Sequence, residues 1–126
     1  MAKRATRRKH HKFLELAPDR NEARVKLGTV LAVSGHLDEA AETLSAAAKA
    51  DPQNAKILLR LGQVMAARGK MSDAVQYFRE AIRLQPEDAE VQESLGRGLF
   101  ELGKKDEASI HLQDALRILR SSPAVR

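Results

Sequence analysis

Residues 55–88 of this 126-residue chain read AKILLRLGQVMAARGKMSDAVQYFREAIRLQPED, and they contain two helical patterns in succession. In the first pattern, Leu61 and Met65 lie one turn apart, and Gly69 follows where that helix is expected to end. The second pattern carries another apolar stripe, which includes Phe78. The stretch therefore predicts a helix, a tight turn and a second helix.

The same pattern returns on both sides of this stretch at a spacing of 34 residues. Such a period is the mark of a repeat protein built from supersecondary units. The matching sets are Leu27, Leu61 and Leu95; Gly28, Gly62 and Gly96; Gly35, Gly69 and Gly103; Ala40, Ala74 and Ala108; Leu44, Phe78 and Leu112; and Ala47, Ala81 and Ala115. Three repeats follow, at residues 21–54, 55–88 and 89–122, with a basic segment at 1–20 and a tail at 123–126.

Small residues at fixed phases predict how the two helices of a repeat pack. Gly28 is expected to face its partner helix near Ala40, because the missing side chain lets the helix axes approach closely. Leu27, Leu31 and Leu44 are expected to fill the space beside that contact. A glycine inside a helix costs about 1 kcal/mol relative to alanine, so three at one phase indicate a packing role.

This pattern resembles the tetratricopeptide repeat family, over about 100 of the 126 residues. The middle repeat carries most of the family's motif, as Leu61, Gly62, Met65, Gly69, Ala74, Phe78, Ala81 and Pro86. Departures from the motif are Arg24, Leu58 and Gln92 in place of an early Trp, and Arg120 in place of the third Pro. The resemblance implies an all-α, right-handed superhelical solenoid of helix-turn-helix repeats.

The N-terminal segment carries the net charge of +5. Six of the 22 basic residues lie between Lys3 and Lys12, so the remaining 16 nearly balance 17 acidic residues. Two interpretations of residues 1–20 stay open: a solvated basic tail, and a degenerate half-repeat helix that includes Phe13 and Leu16. A basic segment of this kind also suits contact with nucleic acid or an anionic membrane.

The last repeat is expected to be incompletely covered. Its apolar positions are Leu99, Leu102, Leu112, Leu116 and Leu119, and no further helical pattern follows them. Two explanations stay open, namely self-association through the last helix and truncation of a longer protein.

Residue types that carry catalysis are not gathered in any recognisable motif. No HExxH pattern, phosphate-binding glycine loop or Gly-x-Ser-x-Gly elbow occurs, and cysteine is absent. His11 and Glu15 have the spacing of a metal-binding pair on a helix, but we interpret them as solvated. We therefore expect no catalytic residues, no metal and no cofactor.

The resemblance implies a partner-binding groove formed by the first helix of each repeat. Transferred by repeat phase, this groove comprises Glu22, Val25, Lys26, Thr29 and Val33; Lys56, Leu59, Arg60, Gln63 and Ala67; and Glu90, Glu93, Arg97, Phe100 and Glu101. Lys56 and Arg60 offer charge to a carboxylate, whereas Glu90 and Glu93 would repel a uniformly acidic ligand. A partner of mixed charge is therefore expected.

One subgroup of the family binds the C-terminal carboxylate of chaperone peptides through Lys, Asn and Arg side chains. The corresponding phases hold Val25, Thr29, Arg60, Glu90 and Ser94 here. Arg60 is the one cation among them, so we place the chain outside that subgroup.

The sequence thus favours a protein-protein interaction scaffold or adaptor, expected in the cytoplasm, that binds a partner peptide or helix in the groove. The alternatives are a nucleic-acid or ribonucleoprotein accessory factor that uses the basic segment, and a regulatory fragment of a larger protein. The salt dependence of binding distinguishes the nucleic-acid alternative from groove binding, because contacts to phosphate weaken steeply as the salt concentration rises.

Overall fold

The computed structural model describes residues 18–121, and every regular element within that range is an α-helix. The helices are α1 (Pro18–Val33), α2 (Leu37–Ala50), α3 (Ala55–Ala67), α4 (Met71–Leu84), α5 (Ala89–Glu101) and α6 (Lys105–Ser121). They pack as the antiparallel pairs α1 with α2, α3 with α4 and α5 with α6. The predicted all-α helical-repeat fold is confirmed.

The chain divides into two compact units, residues 1–53 and 54–126. The described part of the first unit is α1 and α2, and that of the second unit is α3 to α6. Corresponding helices of the second unit start 34 residues apart, since α3 begins at Ala55 and α5 at Ala89. The predicted period therefore appears directly in the helix bounds.

Each pair is closed by the same glycine turn. Gly35, Gly69 and Gly103 have φ of 88°, 81° and 84°, a left-handed conformation that a side chain disfavours. In the middle turn, the N–H of Lys70 donates to the carbonyl of Met65 at 2.8 Å, which is a Schellman-type closure. The predicted helix stops are thus explained by backbone geometry.

The linkers between pairs end in side-chain caps. The carboxamide of Asn54 accepts hydrogen bonds from the N–H groups of Lys56 at 3.0 Å and Ile57 at 3.4 Å. Asp88 caps α5 in the same way, accepting from Glu90 and Val91. These bonds satisfy N–H groups that the first turn of a helix leaves without a partner.

The helix pairs approach closely at the repeated phase of Gly28, Gly62 and Gly96, and the large side chain predicted beside this contact fills it. A Cβ atom on Gly28 would lie 2.6 Å from Cγ of Leu44, and one on Gly96 would lie 3.2 Å from the carbonyl oxygen of Ala108, at the phase of Ala40. On Gly62 it would lie 2.7 Å from Cδ1 of Phe78, so a large side chain one turn further along fills the space that each glycine leaves. The close approach and the place of Leu44 beside it were both predicted.

The core of the second unit joins α3, α4, α5 and α6. Its buried members are Ala55, Leu59, Ala74, Val75, Phe78, Ala81, Val91, Leu95, Leu99 and Ala108. The last repeat is incompletely covered as predicted, since Leu116 is 59% and Leu119 42% exposed. Two residues depart from the predictions about coverage. Leu27 is 52% exposed, although Leu61 and Leu95 at the same phase are buried, and Leu99 is buried rather than uncovered.

An ion pair also links the second helices of the second unit. Nη1 of Arg79 on α4 lies 2.7 Å from Oε2 of Glu107 in the first turn of α6. The hydrogen bond from Arg79 lowers the pKa of the Glu107 carboxyl, and the charges of Arg79, Lys104 and His111 act in the same direction. The folded state therefore favours the ionised carboxylate.

Arg79→Gln is expected to raise the pKa of Glu107 and to reduce the acid sensitivity of the fold. A carboxyl whose pKa is lower in the folded state stabilises the fold above its unfolded pKa, and this stabilisation disappears as the pH falls through the folded pKa. The difference in stability between wild type and variant should therefore shrink on acidification. NMR titration of the Glu107 side chain measures the pKa directly.

Arg83→Gln is the matched control for this prediction. Arg83 bonds Glu80 within α4 and lowers the pKa of that carboxyl instead. Loss of the Arg83 guanidinium should raise the pKa of Glu80 and leave the pKa of Glu107 unchanged. An unchanged Glu107 titration in Arg79→Gln would contradict the role assigned to the ion pair.

Candidate partner-binding site

A cleft opens where α3, α4 and α5 meet in the second unit. Its volume is about 330 Å³, and its lining residues are Gln63, Ala66, Ala67, Met71, Phe78, Ser94, Arg97, Gly98 and Glu101. Met71, Phe78, Gly98 and the two alanines supply apolar groups to the cleft. Gln63, Ser94, Arg97 and Glu101 supply polar groups in similar measure. A concave surface where apolar side chains lie beside a few polar groups is the usual setting of a binding site.

Gly98 explains why α5 lies so close to the floor of the cleft. A Cβ atom at this position would lie 2.9 Å from Cγ2 of Val75 and 3.3 Å from Sδ of Met71, both on α4. At the corresponding phase α3 carries Val64, which is buried. The third repeat thus has an additional glycine, Gly98, where α5 meets α4. The difference between Val64 and Gly98 at one repeat phase was the sequence signal that could have indicated the cleft.

The predicted groove residues of α3 and α5 fall into different environments. Gln63 and Arg97 line the cleft, and Ala67 and Glu101, which the repeat phase also placed in the groove, lie beside them. Phe100 is 58% exposed. These positions are available to a partner.

Leu59 corrects the prediction. It is 0% exposed and belongs to the core of the second unit, together with Val91 and Leu95 of α5. Its position about 100° from the main packed stripe suggested a groove residue, but the neighbouring first helix covers that side of α3. Leu59 therefore offers no surface to a partner.

The two arginines on this surface, Arg60 and Arg97, are already paired. Nη1 of Arg60 lies 3.3 Å from Oε2 of Glu90 on α5 and donates to Oε1 of Gln63 at 3.0 Å. Arg97 lies 3.7 Å from Glu93. Glu90 was expected to repel an acidic ligand, but its carboxylate also pairs with Arg60. A ligand carboxylate would therefore have to displace Glu90 before it could pair with Arg60.

Other charged positions remain open. Among residues 18–121, neither Lys56 nor Glu101 forms an ion pair, and both side chains are exposed. Lys56 lies at the start of α3, whereas Glu101 lies at the end of α5 beside the cleft. The surface thus presents one open charge of each sign, which suits a ligand of mixed charge.

The predicted groove residues of the first unit lie on α1. Lys26 and Val33 are exposed, and Val25 and Thr29 are half-buried. The hydroxyl of Thr29 donates to the carbonyl of Val25 at 2.9 Å, so it is satisfied within its own helix. These residues are on α1 and outside the cleft of the second unit.

Positions that sequence reasoning did not assign to the site are Ala66, Met71, Phe78, Ser94 and Gly98. Phe78 and Met71 belong to a second helix, and the groove was predicted from first helices alone. Phe78 was assigned to the core, where it is indeed 3% exposed, but its ring also borders the cleft.

Within residues 18–121, no three histidine or acidic side chains cluster as metal ligands would. No helix of that same range has both the length and the apolar composition to span a bilayer. His11 and Glu15, as well as the basic segment around them, lie outside the described residues.

Comparison with known families defines the class of protein. A family model described as tetratricopeptide repeat matches residues 2–55, 25–89 and 59–123. The chain therefore belongs to the tetratricopeptide repeat family. None of the curated proteins compared with the chain matches it significantly.

Several solved structures share the fold. The crystal structure of MamA is 23% identical with a TM-score of 0.74, covering 78% of this chain and 57% of MamA. PcrH in complex with the chaperone binding region of PopB is 22% identical with a TM-score of 0.82, covering 88% of this chain and 90% of PcrH. The second TPR of Spaghetti (RPAP3), bound to the HSP90 peptide SRMEEVD, is 20% identical with a TM-score of 0.75, covering 78% of this chain and 91% of that one.

Proposed function

We propose that the protein is a protein-interaction scaffold that holds a segment of a partner against α3 and α5. The cleft between α3, α4 and α5 is the observation that carries this proposal. The apolar part of its lining, formed by Met71, Phe78 and the two alanines, suits one large apolar side chain of the partner, because burying such a side chain contributes about 1.5–3 kcal/mol. The proposed role is binding without catalysis.

The charges around the cleft favour a partner of mixed charge. A basic group on the partner would meet Glu101, and an acidic group would meet Lys56 without displacing another carboxylate. Arg60 is held by Glu90 and Gln63, so it supports an acidic contact only after rearrangement. Among residues 18–121, a ligand with a single strongly charged terminus meets no dedicated clamp, in contrast to the carboxylate-binding subgroup of the family.

The structural neighbours support binding of a protein segment in general terms. PcrH is seen with a region of PopB, and the Spaghetti repeat with a peptide. At 20–22% identity, what they share with this chain is the fold.

The alternative role, nucleic-acid binding through the basic segment, rests on the cluster of cations between Lys3 and Lys12. The family match begins at residue 2 and so includes this segment. The salt dependence of binding tests this alternative, because contacts to phosphate weaken steeply as salt rises. A cytoplasmic location also remains a proposal, and cell fractionation tests it.

Ala67→Trp is expected to block partner binding. Ala67 is exposed and lines the cleft, so an indole at this position would fill space meant for a partner side chain without disturbing the core. Proteins retained from the source cell by wild type and lost with Ala67→Trp are the candidate partners. Ala50→Trp, which puts the same side chain on exposed surface of α2, is the matched control and should retain them.

The double substitution Arg60→Ala and Phe100→Ala should weaken binding of the identified partner at least tenfold, which corresponds to about 1.4 kcal/mol of binding free energy. Deletion of residues 1–12 should weaken it less, and binding should fall only mildly with added salt. If the deletion abolishes binding and the double substitution leaves it intact, the basic segment carries the function instead.

A further inference from the structure

The structure contains one complete example of how a second helix packs on the first helix of the next repeat. In the second unit, Val75 and Phe78 of α4 share a core with Val91 and Leu95 of α5. Gly98 completes this contact, because any Cβ atom there would lie 2.9 Å from Val75. The positions that join consecutive repeats are therefore known from this chain itself.

The same phases are exposed on α1 and, except for the half-buried Leu112, on α6. On α1 they are Ala23, Leu27 and Val30, which correspond to Val91, Leu95 and Gly98, and we call them the α1 face. On α6 they are Ser109, Leu112 and Leu116, which correspond to Val75, Phe78 and Ile82, and together with Leu119 we call them the α6 face. Leu27 is 52% exposed and Leu116 59% exposed.

We propose that the α6 face of one copy packs on the α1 face of a second copy, head to tail. The contact would reproduce the α4–α5 packing with one copy supplying the second helix and the other the first helix. The contact uses a different face on each copy, so a dimer joined in this way has one unused α1 face and one unused α6 face for further copies as concentration rises.

The side-chain sizes on the two faces are complementary. Within the chain, bulky Val75 meets Gly98, which has no side chain. Between copies, small Ser109 would meet bulky Val30, so the same space is filled with the larger side chain on the opposite helix. Leu112 and Leu27 are large apolar residues at the remaining central phases, and close packing of this kind is what a stable helix contact requires.

The contact between copies is expected to be weaker than the one within the chain. Lys105 replaces Met71 at the edge of the α6 face, where its aliphatic stem can cover Val30 while the ammonium group stays in water. The ion pair between Arg60 and Glu90 has no counterpart either, because Ser94 and Glu22 occupy those phases.

Sedimentation of the full chain tests the proposal over roughly 1–300 μM, a range that spans weak protein association. Wild type should associate increasingly with concentration. Leu116→Glu and Leu27→Glu should each raise the dissociation constant of the association at least tenfold, so that each variant is mainly monomeric where the wild type associates. Ile110→Glu is the control: Ile110 is 58% exposed but lies on another side of α6, and its substitution should leave association unchanged.

The decisive experiment mixes the two blocked variants. Leu116→Glu keeps its α1 face and Leu27→Glu keeps its α6 face, so a mixture should form a dimer with one copy of each and nothing larger. Circular dichroism verifies that the variants are folded. If Leu27→Glu is not folded, Val30→Lys replaces it on the α1 face, and if Leu116→Glu is not folded, Leu119→Lys replaces it on the α6 face.

Three outcomes would overturn the proposal. A wild-type monomer throughout the concentration range is the first. Association that survives Leu27→Glu but not Leu116→Glu is the second, because it would mean that two α6 faces meet. Association that appears only after removal of residues 1–17 is the third, since it would assign the α1 face to that segment of the same chain. None of these outcomes bears on partner binding at the cleft.

Discussion

Phe78→Ala is expected to lower the free energy of unfolding by about 3–5 kcal/mol. The ring is 3% exposed and fills the space beside two glycines, Gly62 on α3 and Gly98 on α5. Neither glycine has a side chain that could move into the vacated volume, so the substitution should leave a cavity where three helices meet. Urea unfolding followed by helical circular dichroism measures the loss.

Phe100→Ala is the matched control for that prediction. Phe100 is also an aromatic residue of the second unit, but its side chain is largely in water, so its removal should change stability by no more than about 0.5 kcal/mol. The two variants thus separate a packing role from a binding role. A loss for Phe78→Ala no larger than that for Phe100→Ala would refute the packing described around Gly62.

Leu61→Ala and Leu95→Ala are each expected to cost about 2–5 kcal/mol, because both side chains are buried. Leu27→Ala removes the same atoms at the same repeat phase from a side chain that is largely in water. It should cost no more than about 0.5 kcal/mol. Thermal and urea unfolding of the three variants should therefore give one small and two large effects.

The outcome for Leu61→Ala tests the repeat phase itself. A cost below about 0.5 kcal/mol would mean that the 34-residue period was aligned incorrectly. A large cost for Leu27→Ala would instead mean that another part of the molecule covers α1 in solution. The three leucines together distinguish these two errors.

The sequence predicted the helical pairs well because their determinants are local. Gly69 needs a left-handed conformation, and Asn54 and Asp88 cap the helices that follow them. Each of these effects depends on residues within one or two turns, so the spacing of residue types is enough to predict it.

The candidate site was predicted less completely because its determinants lie on other helices. Leu59 occupies a groove phase, but packing against α5 buries it. Arg60 finds its carboxylate on Glu90, thirty residues further along the chain. The phase of a residue predicts which side of its helix it lies on, whereas the neighbour that meets it there depends on the packing of the next helix.

The turns at Gly35, Gly69 and Gly103 have a consequence for how the chain folds. The hydrogen bonds that close them join residues at most five positions apart, such as Leu31 and His36 in the first turn. Little chain entropy is lost in closing so short a loop, so each hairpin can begin to form before distant parts of the chain meet. Folding can therefore start at any of the three hairpins and spread to its neighbours, and the glycines are possible starting points for that process.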